Sequence, residues 1–277
     1  MIRLWRIGKF GFFKRFRLAG TLLKASVSLV FFQHYRYFIF CFLLSLVQFL
    51  TFVATGFIHS KLKISLIVSE LLAGLNFFEI LFESINNIKP AQLGMGAIIL
   101  CIELFFIFCI NSAVAWYSLQ HTEQKKIECK QYYHLFLTIW PSLAWYALIE
   151  TAVLFITALM GWVGSILYFL WQWGTIFMIQ IITFEKENGL QAIKKSFNNF
   201  TKNIAHVVSI DILYESVLIA GAFLLYFITQ QTIAKPMGLA KLSYGASIVL
   251  LYLLSILYVL ETVTFTLLYM KLKKERI

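Results

Sequence analysis

From Tyr37 to Ile58 the chain reads "YFIFCFLLSLVQFLTFVATGFI", without one charged side chain. A run of this kind spans the ~30 Å hydrocarbon core of a bilayer, which takes ~20 apolar residues as a helix. Comparable runs recur at 97–118, 135–159, 163–184, 204–228 and 246–270, the third running almost directly into the fourth. Backbone polar groups in lipid must be satisfied within the segment or around a closed barrel. The ~10-residue alternating strands of a barrel are absent, which leaves helices. The expected fold is therefore all-α, a polytopic transmembrane helix bundle of six spans with amphipathic interfacial helices. Composition agrees: 60% of residues are hydrophobic and 13% charged, against about 45–50% and about 25% in soluble domains.

The net charge of +11 is explained by where the basic residues lie. With the N-terminus in the cytoplasm, the inside segments 1–36, 119–134, 185–203 and 271–277 hold eight, three, four and four Lys/Arg. The outside segments 59–96, 160–162 and 229–245 hold three, none and two. This is the positive-inside asymmetry of a six-span protein with both termini cytoplasmic. The expected location is a bacterial inner membrane. Nucleic acid is excluded as the reason for the charge, because the cations sit in loops beside spans rather than on a folded soluble surface.

Residues 1–36 form a basic amphipathic segment, with Phe12, Phe13, Phe16, Leu22, Leu23, Val27 and Val30 toward one face and Lys14, Arg15, Arg17 and Lys24 toward the other. Such a helix lies in the headgroup plane. The membrane domain follows over 37–270, then a basic tail, 271–277. Residues 63–85 carry Glu70, Asn76, Glu79 and Glu83 beside a broad apolar face, which predicts a second interfacial helix. A span there would invert the later loops and erase the basic bias. Pro141 falls in the first turn of span three, where its missing N–H costs little. Gly161 and Gly164 predict a tight hairpin between spans three and four.

Between spans four and five lies "TFEKENGLQAIKKSFNNF", residues 183–200. Asn188-Gly189 is a turn signal. Leu190, Ile193, Phe197 and Phe200 then recur at helical spacing, predicting a surface helix over 190–201 with its apolar stripe on lipid or on the bundle. Lys194, Lys195 and Lys202 lie off that stripe, placed for anionic headgroups worth about 1 kcal/mol each. With Lys14, Arg15 and Arg17 they form the expected lipid-contact set. The same stretch resembles a loop pattern of uncharacterised bacterial membrane proteins, and of the membrane domain of some bacterial glycerophosphodiester phosphodiesterases. The matching residues are Glu185 or Glu187, Gly189, Ala192-Ile193 and Lys195-Ser196, although Ile182-Thr183 stand where that pattern has proline. The resemblance implies a six-helix integral membrane domain. The phosphodiesterase domain is missing, so no catalysis is carried over.

Five acids fall inside predicted spans, Glu103, Glu150, Asp211, Glu215 and Glu261, with no Lys or Arg in any span to pair with them. Each costs about 2.5–3.5 kcal/mol at a span centre and is a candidate site for ions or protons. Asp211 and Glu215, four residues apart, share a helix face. At 1.5 Å per residue they lie roughly 10 and 16 Å from the inner end of span five, with Glu261 roughly 13 Å from that of span six. Glu103 and Glu150 lie roughly 9 and 13 Å from the outer ends of their spans. They form an inner group and an outer pair, serving either as an ion path or as interhelical polar glue. No helix interrupted by paired Gly/Pro is evident, which counts against a transporter.

His121, Glu123, Glu128, Cys129 and His134 gather in or beside one loop, but their spacing matches no metal-ligand pattern. GxSxG, HExxH, P-loop and GxGxxG motifs are absent. The expectation is a non-enzymatic protein with no cofactor and no metal, in envelope or lipid-related upkeep, whose partners are membrane lipids. The alternative is a proton- or cation-coupled transporter or channel using the intramembrane carboxylates.

Overall fold

The structure is a computed structural model that describes the backbone of residues 9–33, 35–54, 90–125, 127–233 and 239–274. Side chains are described chiefly over 17–32, 35–51, 97–125, 127–214 and 252–274. Every element among them is helical: α1 Lys9–Val27, continued by a π-helical turn over Ser28–Gln33, α2 Arg36–Ala54, α3 Pro90–Thr122, α4 Cys129–Leu159, α5 Gly161–Thr175, α6 Met178–Glu185, α7 Gly189–Ile233 and α8 Leu239–Lys274.

Four segments are long and apolar enough to cross a membrane: Ala97–Thr122, Cys129–Leu159, Gly161–Glu185 and Tyr252–Lys274. A fifth arises if Arg17–Phe32 and Arg36–Thr51, bent by 92°, count as one. The sequence-predicted fifth span lies within α7, whose side chains are described only in its first part. Residues 63–85 lie outside the described residues.

The helices close on one another in the order α4, α3, α2, α8, α1, α7, α5 and back to α4, with α8 also packed on α3. The short helix α6 touches α3, α4 and α7, and Met178, Gln180, Ile181, Ile182 and Thr183 along it are all buried. It is wedged between those three helices. Apolar side chains gain little by leaving lipid for each other, so polar fasteners matter more here than in water. Tyr37 on α2 meets Ser118 on α3 at 2.9 Å. The Ser118 hydroxyl already donates to the Val114 carbonyl at 2.7 Å, so Tyr37 is the donor. Ser45 on α2 donates to Ser255 on α8 at 2.9 Å. Tyr214 on α7, Thr264 on α8 and Ser26 on α1 form a chain with two 2.7 Å links.

Three sequence expectations change. First, α1 is more than a surface helix: Ala19, Leu22 and Ser26 are buried, and the helix packs against α7 and α8. Second, α4 begins at Cys129, so Pro141 sits in its interior. The extra turns are anchored by Tyr132, whose hydroxyl donates to the Cys109 carbonyl at 3.0 Å. Third, the fourth span is two helices, with a break at Ile176–Phe177. The α4–α5 hairpin is as tight as expected. Gly161 takes a left-handed φ of 59°, and a Cβ on Gly164 would lie 1.6 Å from the Thr157 carbonyl oxygen.

Candidate functional site

The break in span four organises the site. Thr175 turns its hydroxyl back to the Trp171 carbonyl at 2.9 Å, a bond that competes with the helical ladder. Phe177 is fully buried and its N–H leaves the ladder. An unmet N–H in a bilayer interior costs several kcal/mol. It is met from a distance: the Ser196 hydroxyl oxygen on α7 accepts it at 3.1 Å.

The polar loop folds so as to deliver that serine. Lys186 takes a left-handed φ of 55° and closes α6, its N–H returning to the Ile182 carbonyl. Asn188 caps α7, its side-chain oxygen accepting the Gln191 N–H at 3.0 Å. Gly189 passes under Trp145, where a Cβ would come within 2.4 Å of the indole. One turn on, Ala192 and Ser196 are fully buried, and Phe200 nearly so. Phe197 fills the notch at Gly174, where a Cβ would approach its ring to 2.3 Å. The helix expected over 190–201 is thus the start of α7. Its buried face is Ala192, Ser196 and Phe200, while Leu190 of the predicted stripe stays 63% exposed. Only a kink at Asn203 (φ −125°, ψ 19°) separates it from the rest of α7.

The predicted lipid-contact cations divide. Lys194 and Lys202 are exposed, as is Arg17. Lys195 bonds Glu185 at 2.9 Å and also bonds Glu187. Its ammonium pKa is raised, chiefly by the hydrogen bond to Glu187 and next by that to Glu185. Glu185 additionally accepts the Tyr269 hydroxyl and lies 3.6 Å from Lys273. This one carboxylate therefore ties the ends of α6, α7 and α8. The side chains of Lys14 and Arg15 are outside the described residues.

Glu150 and Asp211, expected in the outer pair and the inner group respectively, are held by different donors. Glu150 on α4 is 2% exposed. Its carboxylate accepts the Trp171 indole N–H at 2.7 Å and the Tyr168 hydroxyl at 3.0 Å, as well as the Gln172 amide. Asp211 on α7 accepts the Trp173 indole N–H at 2.7 Å. Trp171 and Trp173 are two residues apart, about 200° around α5. Glu150 and Asp211 are therefore held on different sides of that helix. Glu103 on α3 is bonded by Thr51 of α2, and Glu261 on α8 lies near Tyr214. The Glu215 side chain is outside the described residues. The tryptophan donors of α5 were not singled out among the candidate site residues read from the sequence. The signal available was position about the hairpin: Glu150 lies ten residues before Met160 and Trp171 ten residues after Gly161, so the two fall at the same level of the antiparallel pair.

Among the described residues, the buried side-chain oxygens without a partner are Asn111 Oδ1 on α3 and Gln180 Oε1 on α6. No group of three or more His, Cys, Asp or Glu suited to a metal occurs among those residues. Comparison of the chain with protein-family models, curated proteins and solved structures finds no match.

Proposed function

We propose that this chain is a non-enzymatic integral protein of a bacterial inner membrane, with both termini cytoplasmic, serving envelope or lipid-related upkeep. The reading rests on what its intramembrane acids do. An acid that carries ions or protons faces a polar path and exchanges partners. Glu150 has its two oxygens taken by donors from one rigid hairpin, and Asp211 is fixed to a different face of α5. That is the chemistry of a fastener between helices. The exposed lysines Lys194 and Lys202, on the same first turns of α7 as the Ser196 clasp, support contact with anionic headgroups.

A second reading, a proton- or cation-coupled transporter, draws on the broken fourth span, because transporters place substrate at interrupted helices. Proteoliposomes separate the two. Under the first reading, imposed proton, Na⁺ and K⁺ gradients decay as they do in empty vesicles. A protein-dependent flux abolished by Asp211→Asn or Glu215→Gln establishes the second and removes the first.

A further inference from the structure

Nothing charged lies between Glu150 and Glu185, a stretch that holds the end of α4, the turn, all of α5 and most of α6. The turn is as apolar as its arms: Leu159, Met160, Trp162 and Val163 are exposed around it, Trp162 at 75%. Only Met160 stands between the two helices. Its N–H returns to the Thr157 carbonyl at 3.0 Å. The Gly161 carbonyl accepts the Ser165 hydroxyl at 3.4 Å, and the Thr157 hydroxyl donates to the Val153 carbonyl at 2.8 Å. These polar groups are spent inside the hairpin, as backbone placed in hydrocarbon requires.

The charged loop fixes how far the hairpin reaches. Gly189 lies so close to α4 that a Cβ on it would fall 3.5 Å from the Trp145 Cβ, which sets the start of α7 at that level of α4. Lys186 and Asn188 just before it, and Lys194 and Lys195 after it, are exposed. Met160 is fifteen residues beyond Trp145, a rise of ~22 Å. The other arm agrees. α5 has 15 residues, again ~22 Å, before the break where Phe177 meets Ser196 of the same loop. The hydrocarbon core is ~30 Å thick. With the loop's charges at the inner boundary, the turn stops ~8 Å short of the outer one, and tilt only lowers it.

We infer that the α4–α5 turn ends inside the outer leaflet, covered by the acyl chains and ester groups of lipids rather than by water. The inference goes beyond the proposed function and rests on its placement of the loop at the cytoplasmic face. A hairpin shorter than the bilayer is accommodated by local thinning, so the outer leaflet dips toward the turn. The N–H groups of the first turn of α5, which have no partner within their own helix, then face lipid ester and phosphate oxygens. Trp162 stands at that level, where indoles sit between acyl chains and headgroups. Residues 160–162, read from the sequence as an outer loop, contact lipid instead. Lipid is favoured over a second copy because the exposed apolar surface continues down both arms, through Ile156 and Ile166, as a lipid-facing surface does.

Accessibility and depth test it on the full chain. With Cys41, Cys101, Cys109 and Cys129 replaced by alanine, Met160→Cys in right-side-out vesicles is expected to resist a membrane-impermeant maleimide and to react only after denaturation in SDS. Labelling from outside intact vesicles overturns the inference. Asn198→Cys, at an exposed position of α7, checks orientation. It should react only once the vesicles are opened; reaction in intact vesicles overturns the cytoplasmic placement and the inference with it. If the cysteine variants do not fold, Trp162 decides. Its emission, taken as wild type minus Trp162→Phe in proteoliposomes, is expected to be quenched by phospholipids brominated on their acyl chains and spared by aqueous iodide. Quenching by iodide puts the turn in water, and quenching by neither puts protein, such as a second copy, over it; both overturn the inference.

Discussion

Glu150→Gln is the sharpest probe of the fastener reading. Glutamine has nearly the shape of glutamate, so packing changes little. Its hydrogen-bond chemistry differs at one end, where an NH₂ replaces an oxygen. In the native hairpin one carboxylate oxygen takes Tyr168 and Gln172 while the other takes Trp171. The amide can keep its oxygen on only one of these sides. If it stays with Tyr168 and Gln172, its N–H groups face the Trp171 indole, which can only donate. If it flips, Trp171 is served and the other side is left with fewer acceptors. Either way at least one buried donor is orphaned, at a cost of about 1–3 kcal/mol. Glu150→Leu orphans all three donors and is expected to cost more than Glu150→Gln. The measurement is equilibrium unfolding in mixed micelles, followed by far-UV circular dichroism. A double-mutant cycle isolates the contact, because neighbours in one network are not additive. Trp171→Phe removes the donor that the glutamine amide opposes, so Glu150→Gln should cost markedly less in that background. A Glu150→Gln protein within about 0.5 kcal/mol of wild type, the range of ordinary surface changes, would refute the reasoning, as would strict additivity with Trp171→Phe.

Three further outcomes follow from the clasp. Ser196→Ala strands the Phe177 N–H and should destabilise by about 1–3 kcal/mol, with faster hydrogen exchange at 177–179 read by mass spectrometry; exchange unchanged there would refute the clasp. Gly174→Ala drives a methyl group into the Phe197 ring and should cost about 1–3 kcal/mol through overpacking. Phe197→Leu in the same chain should recover part of that cost, and no recovery would place the strain elsewhere. Lys195→Gln breaks ion pairs whose lysine is 46% exposed, so its effect should stay below about 1 kcal/mol and shrink with added salt; a larger loss in unfolding would show that the Glu185 node carries the loop.

Each feature was legible in the sequence to the extent that it needed no partner to be visible. Helices over the spans were legible because a long apolar run is a statement about solvent, and needs no partner to be read. The mid-span acids were legible as costly groups, but their partners were not, since an indole on the facing helix looks the same in sequence whether or not it donates. The loop shows the same limit more sharply. Apolar spacing selected Leu190, Ile193, Phe197 and Phe200, whereas the structure buries Ala192 and Ser196 fully and leaves Leu190 outside. A small residue and a hydroxyl carry no weight in a hydrophobic pattern, yet they are what a close approach to a broken backbone requires. The break was hidden for a related reason. It has no proline, only Gly174-Thr175 before it, and the oxygen that makes it tolerable comes from a residue 19 positions along the chain. The polar stretch in an otherwise apolar chain is therefore explained from inside the bundle: it folds back to satisfy a donor that the fourth span gives up, and its lysines are free for headgroups only where Glu185 and Glu187 have not already taken them.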